Sequence, residues 1–338
     1  MKELLKRLCA IDGVSGDEGD VCAAIREMIE GYAENIHTDR QGNLCAFRRG
    51  VSQEKTRMIC AHMDEVGFII TNIDDKGFLS ISPVGGIDLR VAMGRQLHIK
   101  GKNGVVNAIT GLTPIHLAED DERKQTPKQL YADIGAKDRA DAETVVSIGD
   151  FASFVTAPAD FGIGMLKAKA IDDRFGCAAM IDLLRSGVEC AYDTWFVFTV
   201  REEVGGAGAK AAAFALDPAE ALVLEGTTAA DVSGVSGEKR VCCAGKGPVI
   251  SYMDRSAIYD PKGFRALCAA AKELEIPYQT KMMVAGGTDA GSITVSRGGI
   301  PCVGISAPVR YLHAPSSVVA WSDCEAARRL AEYWLRTK

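Results

Sequence analysis

Five short segments of this chain bring an acid or a histidine to the end of an apolar run or the start of an amphipathic one, and this recurrence constrains the fold most. TRMICAHMD (56–64) runs into His62 and Asp64, and TWFVFTVREE (194–203) into Glu202 and Glu203. ALVLEG (221–226) ends near Glu225, and IPCVGISAPVRYLH (300–313) leads to His313. KAIDDRFG (169–176) sets Asp172 and Asp173 just ahead of a helical pattern. In open α/β sheets, ligands gather beyond the carboxyl ends of the strands. Groups placed at several strand ends therefore predict one shared site on one edge of a sheet.

The rest of the chain agrees with such a sheet. After residue 162, apolar strand patterns at 194–200, 221–226, 247–253, 278–284 and 300–306 alternate with helical periodicity at 173–186, 207–215, 264–275 and beyond Thr288. A last helix opens on Ser322 and Glu325 at capping-box spacing. The first 66 residues read as helix, loop, helix and strands. Between them, residues 67–161 stay strand-like, with hairpin signals at Asp74-Asp75-Lys76-Gly77 and Lys102-Asn103-Gly104 and one short helix over 137–144. The expected fold is α/β: a mixed, largely parallel sheet flanked by helices, with a small β-barrel-like domain inserted. The expected division is 1–66 with 162–338 for the α/β domain, and 67–161 for the insertion.

Composition narrows the partners. A net charge of −6 offers no basic footprint for nucleic acid, and no apolar stretch is long enough to suggest a membrane span. MKELLKRLCAIDG lacks the unbroken apolar core of a secretion signal. The eleven cysteines are odd in number, form no CxxC pair and sit mostly in apolar runs, which predicts free buried thiols in a reducing, cytoplasmic setting.

The chemistry follows from residue type and spacing. On an extended chain His62 and Asp64 point to one face, where a carboxylate can hold the second ring nitrogen of a metal-binding imidazole. Asp172 reads as a carboxylate bridging two cations, with Asp173 and Arg174 holding its loop; adjacent acids at a helix start also serve as plain caps. Of the neighbours Glu202 and Glu203, one can bind metal while the other acts as general base toward water. His37, His98 and His116 lie in strand-like stretches and read as structural. Two histidines, three carboxylates and a spare glutamate suit two divalent cations about 3.5 Å apart, with Zn²⁺, Co²⁺ or Mn²⁺ all acceptable to such ligands.

At these residues the sequence resembles the M42 metallo-aminopeptidases, the glutamyl- and tetrahedral-aminopeptidase group. AHMDEVGF, KAIDDRFG, REEVGGAGAK, GGTDAG and PVRYLH occur in that family's order, and the likeness spans nearly the whole chain. The resemblance implies a zinc-peptidase-like fold and removal of N-terminal residues from short peptides. It implies His62, Asp172 and Glu225 on one metal and Asp172, Glu203 and His313 on the other, Glu202 as general base, and Asp64 orienting His62. Many members carry Asp where this chain has Glu225, and Asp231 stands nearby as the alternative ligand. It implies a homo-oligomer, a dodecamer of dimers joined through the inserted domain. The competing readings are a deacylase-like metallohydrolase and a non-catalytic assembly protein.

Overall fold

The computed structural model describes residues 1–112, 116 and 130–338. Its strands are β1 Glu34–Thr38, β2 Leu44–Arg48, β3 Gly50–His62, β4 Gly67–Ile73, β5 Leu79–Val84, β6 Gln96–Gly101, β7 Gly104–Gly111 and β8 Leu130–Asp133. They continue as β9 Phe151–Phe154, β10 Ala159–Phe161, β11 Met165–Ala168, β12 Cys190–Thr199, β13 Glu220–Thr228, β14 Val249–Ser251, β15 Cys302–Arg310 and β16 Ser317–Ala320. Ten of them form one sheet in the order β1-β2-β12-β3-β13-β15-β16-β11-β10, with β14 beside β15. The central run β12-β3-β13-β15 is parallel, and antiparallel strands flank it on both sides. The chain is thus mixed α/β with a parallel centre.

Parallel strands covered on both faces read as continuous apolar runs, because each face meets a core. Ile59, Ala61, Phe196, Phe198, Leu222 and Leu224 pack against the helices Lys2–Cys9, Gly19–Ile29, Ile171–Arg185, Pro261–Glu273 and Trp321–Arg336. Met58, Cys60, Val197, Ala221 and Val223 face the other way, onto Ala209, Ala212 and Ala213 of helix Ala207–Leu216 and onto Ala290 and Ile293 of helix Ala290–Thr294. Phe196 and Phe198 are fully buried, and truncating either to alanine costs about 3–5 kcal/mol. Eight of the eleven cysteines are buried and none is in a disulfide.

Strands β4-β5-β8-β7-β6-β9 close into a barrel with its own core, centred on Phe68, Leu79, Ile81, Leu97, Ile99 and Phe154. The short helix Arg139–Val145 packs on it, its Asp138 side chain accepting from Asp141 N. Residue 161 falls inside the β10–β11 hairpin, where Phe161 pairs with Met165, so β10 lies in the large sheet.

Three local expectations differ. The 278–284 stretch is not a strand: only Gln279 bridges to Val249. Its side chain is held instead by Cys243 and Gly247 (2.8–3.0 Å), and Met282 and Met283 are exposed. The last helix starts at Trp321 with Ala320 as an N-cap that makes no side-chain bond, so Ser322 does not cap it. Asp323 in its first turn is buried and accepts from Gly245 N and Gly247 N. The strands β11 and β16 were not anticipated. His116 stands in a turn whose sequence neighbours lie outside the described residues. Among the described residues no helix is long and apolar enough to cross a membrane.

Candidate metal centre

The four parallel strands all point their carboxyl ends at one edge, and the acids and histidines meet there. His62 is the last residue of β3 and pairs with Thr199 at the end of β12. Beyond Thr199 the chain passes Glu202 and Glu203 and turns into helix Ala207–Leu216 through Gly205 (φ 116°) and Gly206 (φ 66°), a left-handed path that glycine follows without strain. Val223 on β13 pairs with Cys60, which brings Glu225, two residues on, level with His62. His313 follows β15. Asp172 comes from the start of helix Ile171–Arg185, where Gly226 N donates to its Oδ1 at 3.0 Å.

Three donor groups result: two share the Asp172 carboxylate, and a third joins His62, Glu202 and Glu203. His62, Asp172 and Glu225 form the first: His62 Nε2 lies 2.9 Å from Glu225 Oε1 and 3.4 Å from Asp172 Oδ1. Asp172, Glu203 and His313 form the second: His313 Nε2 lies 3.0 Å from Glu203 Oε1 and 3.7 Å from Asp172 Oδ2. In each, the donor atoms lie within 4.8 Å of one another. Asp231 is elsewhere, in a two-pronged pair with Arg310 at 2.6 and 2.9 Å.

The charges are unbalanced in a way that fits a cation. Burial and then the Glu225 charge push the Glu202 carboxyl well up, and burial with Asp172 and Asp173 does the same to Glu225 against the pull of His62. Burial disfavours an imidazolium at both histidines, yet the carboxylates outweigh it. They hold His62 well above its ordinary value and lift His313 to about 11. Carboxyls pushed up beside imidazoles that are also pushed up are the mark of a site short of positive charge. His62 Nε2 and Glu225 Oε2 are buried with no hydrogen-bond partner. His62 Nε2 still lies 2.9 Å from Glu225 Oε1, an approach that suits ligands converging on a common ion.

The surroundings fix these groups. His62 Nδ1 meets the Asp64 backbone carbonyl at 3.1 Å and the Asp64 carboxylate at 3.4 Å. That carboxylate also accepts from Glu202 N (3.2 Å), Glu203 N (3.1 Å) and the Ser15 hydroxyl. Asp64 therefore holds the Glu202-Glu203 backbone as well as the ring, which sequence reasoning missed. His313 Nδ1 meets Gly86 O at 2.9 Å, so the barrel segment supports a residue of the site; a lone glycine carbonyl leaves no sequence signal. Arg174 is fully buried and donates to Leu8 O, Ile11 O and Met63 O (2.6–3.1 Å), tying the N-terminal segment to the β3 exit. Within GGTDAG, Asp289 accepts from Thr199 Oγ1 at 2.6 Å.

A family model described as M42 glutamyl aminopeptidase matches residues 42–330. The chain belongs to the M42 family. A protein of Acetivibrio thermocellus is 41% identical over 330 residues, covering 98% of this chain and 97% of its own. A lysyl aminopeptidase of Pyrococcus furiosus is 30% identical over 339 residues, covering 98% of this chain and 95% of its own. The TET1 peptidase of Pyrococcus horikoshii, described as able to assemble into a tetrahedron or a large octahedral shell, superposes with a TM-score of 0.88 at 32% identity, covering 100% of this chain and 99% of that one. This M42 chain is thus an aminopeptidase-class hydrolase of a metal-dependent family, and its clustered histidines and carboxylates are a set able to hold metal.

Proposed function

We propose that this M42 enzyme binds two divalent cations and removes N-terminal residues from short peptides. The observation that carries the reading is the pair of donor groups sharing Asp172, with buried His62 Nε2 and Glu225 Oε2 left without hydrogen bonds. His62, Asp172 and Glu225 would hold one ion, and Asp172, Glu203 and His313 the other; zinc suits the set, and cobalt or manganese can replace it. Divalent cations there would supply Lewis-acid polarisation of the scissile carbonyl and a water of lowered pKa.

The chain's own groups do the rest. Glu202 belongs to neither donor group that contains Asp172, although it forms a third with His62 and Glu203, and its half-buried carboxylate is the group we assign to take a proton. It accepts the proton of the attacking water and returns it to the leaving amine. Asp64 holds the Glu202 and Glu203 backbone N–H groups and so sets where both side chains emerge. The inserted unit is the barrel, which starts near residue 67 and ends before β10, and the remainder of the chain forms the catalytic unit. Copies of the chain assemble through the insertion into a dodecamer of dimers, a reading supported by the shells that the Pyrococcus horikoshii relative forms.

The test is metal analysis of the purified protein together with hydrolysis of aminoacyl p-nitroanilides after loading with Zn²⁺, Co²⁺ or Mn²⁺. Two ions per chain and cleavage of free-amine but not N-acetylated substrates are expected. Cleavage only of N-acylated substrates would replace the reading with a deacylase. Sedimentation as a 36 kDa monomer would remove the assembly.

A further inference from the structure

A second cavity lies on the seam between the barrel and the large sheet. It is an open groove of about 440 Å³, within the size range of small-ligand sites. Its walls are Arg95 ahead of β6, the 155–157 segment after β9, Lys167 of β11, and Pro315 and Ser316 ahead of β16. Two cations line it and no acid does, in a chain whose acids outnumber its bases by 45 to 39. Among the described residues, Arg95 spends only its Nε side-chain donor, on Val91 O at 3.0 Å, and Lys167 Nζ has neither a hydrogen bond nor an ion pair. Lys169, two residues on, is by contrast held by Asp12 and Glu65, both at 2.6 Å. The walls are tied by neutral groups: Thr156 Oγ1 donates to Pro315 O at 2.5 Å and lies 3.4 Å from Ser316 Oγ. Holding the groove together therefore leaves its two cations unused.

The groove adjoins the cavity of the candidate metal centre. Leu166 and Ala168 are buried in the helix-side core, so strand alternation turns Lys167 to the opposite face. Lys169 lines the metal-centre cavity with Asp172, Glu203 and His313, and two residues of extended chain span only about 7 Å. On the facing wall, Ala314 and Ser317 line the metal-centre cavity, while Pro315 and Ser316 between them line the groove. A peptide with its N-terminal residue at the metal centre would therefore reach the groove about two to three residues downstream, at about 3.3 Å per residue.

Resting on the aminopeptidase reading, we propose that this groove binds the downstream part of the peptide, and that Arg95 and Lys167 favour a carboxylate there. The carboxylate belongs either to an acidic side chain near the third residue or to the C-terminus of a tripeptide. Arg95 offers a planar fork that meets a carboxylate through two parallel bonds, and Lys167 offers a compact charge. Arg95 is exposed and Lys167 half-buried, so water screens both and the expected preference is about three- to tenfold.

The test compares zinc-loaded wild type, Arg95→Gln, Lys167→Gln and Lys167→Glu on Leu-Gly-Asp-amide against Leu-Gly-Asn-amide, and on Leu-Gly-Gly against Leu-Gly-Gly-amide. If a side chain is read, the Asp-to-Asn ratio of kcat/KM stands at about three to ten in wild type. It then falls toward one in both glutamine variants, and lower still in Lys167→Glu. If the terminus is read, the Leu-Gly-Gly to Leu-Gly-Gly-amide ratio behaves this way instead. Either ratio should narrow as salt is raised to about 1 M, where screening is strong. Wild-type ratios near one for both pairs overturn the proposal, and so do ratios that the variants leave unchanged. Calorimetry with the same four peptides, their first peptide bond reduced to CH2–NH, reads the selection without turnover. A wild type that cleaves nothing yet discriminates these ligands through Arg95 and Lys167 defeats the peptidase reading alone. Binding that ignores the carboxylate, in an enzyme that cleaves peptides, overturns the proposal and leaves the peptidase reading standing.

Discussion

Glu202 and Glu203 are adjacent in sequence, yet the geometry gives them different neighbours. Glu203 Oε1 lies against His313 Nε2, whereas no hydrogen bond to the Glu202 carboxylate is seen among the described residues. Glu202→Gln keeps shape and removes the base, so kcat should fall by about 10²–10⁴-fold with metal content unchanged. Glu203→Gln should lose metal, with partial rescue by added metal. Equal metal loss in the two variants, read by elemental analysis, would show that the roles are misassigned. The thiols offer a test free of the metal. Burial pushes Cys9, Cys45, Cys242 and Cys302 up to about 12, and thiols react as thiolates. Native protein at pH 8 should therefore expose no more than the three half-buried cysteines, Cys22, Cys243 and Cys268, to a disulfide reagent. Rapid labelling of more than three would mean that the core opens readily.

Elements were legible where burial and period agree. TWFVFTV and ALVLEG announce β12 and β13 because both faces are covered, and the acids after them are conspicuous for breaking an apolar run. The 278–284 run misled because its apolar residues line an exposed rim, and β16 was missed because four buried residues, Ser317–Ala320, carry too little pattern. On β13, Gly226 is where strand and site meet: an added Cβ would stand 2.7 Å from Asp172 Oδ1. Gly226→Ala should displace the shared carboxylate and weaken metal binding on the order of 10–100-fold, as loss of a ligand's support does. Unchanged affinity in a metal titration would show that Asp172 is not a shared ligand. At the opposite end of β13, Glu220 pairs with Lys55 at 2.6 Å and Arg57 at 2.8 Å. Burial works to raise its carboxyl pKa, but the two cations outweigh it and hold it below the ordinary value. A lowered folded pKa stabilises above the unfolded value, about 4.3, and that contribution is lost as pH falls through the folded one. The gap in urea midpoint between wild type and Glu220→Gln should therefore be wide at pH 6 and narrow at pH 3.5. A gap independent of pH would deny the pairing.

At the scale of the molecule, the site is where distant parts are pinned together. His98 on β6 bonds Asp12 at 3.0 Å, and Asp12 shares Lys169 with Glu65, both at 2.6 Å, so barrel, N-terminal segment and sheet meet beside the candidate metal centre. None of this was legible in sequence, because ion pairs across 86 or more residues leave no periodic trace. What the sequence did carry was the group of acids and histidines that meet at the strand ends, a set able to hold metal. That set joins residues 62, 172, 203, 225 and 313, so whatever binds it ties together most of the chain. Without cations, the clustered carboxylates repel and must share protons with two imidazoles that a metal would need neutral. Chelation should therefore lower the melting temperature of the whole α/β unit as well as abolish activity, and readdition of zinc or cobalt should restore both. A ligand that binds only the folded state adds about 2.7 kcal/mol at a hundredfold excess over its Kd, an effect calorimetry resolves easily. The expected record is a melting temperature that climbs with free metal and keeps climbing past the dissociation constant. Glu225→Ala or His313→Ala, each removing one ligand, should flatten that climb. A melting temperature indifferent to metal from the chelated state upward would mean that these five side chains converge without holding an ion.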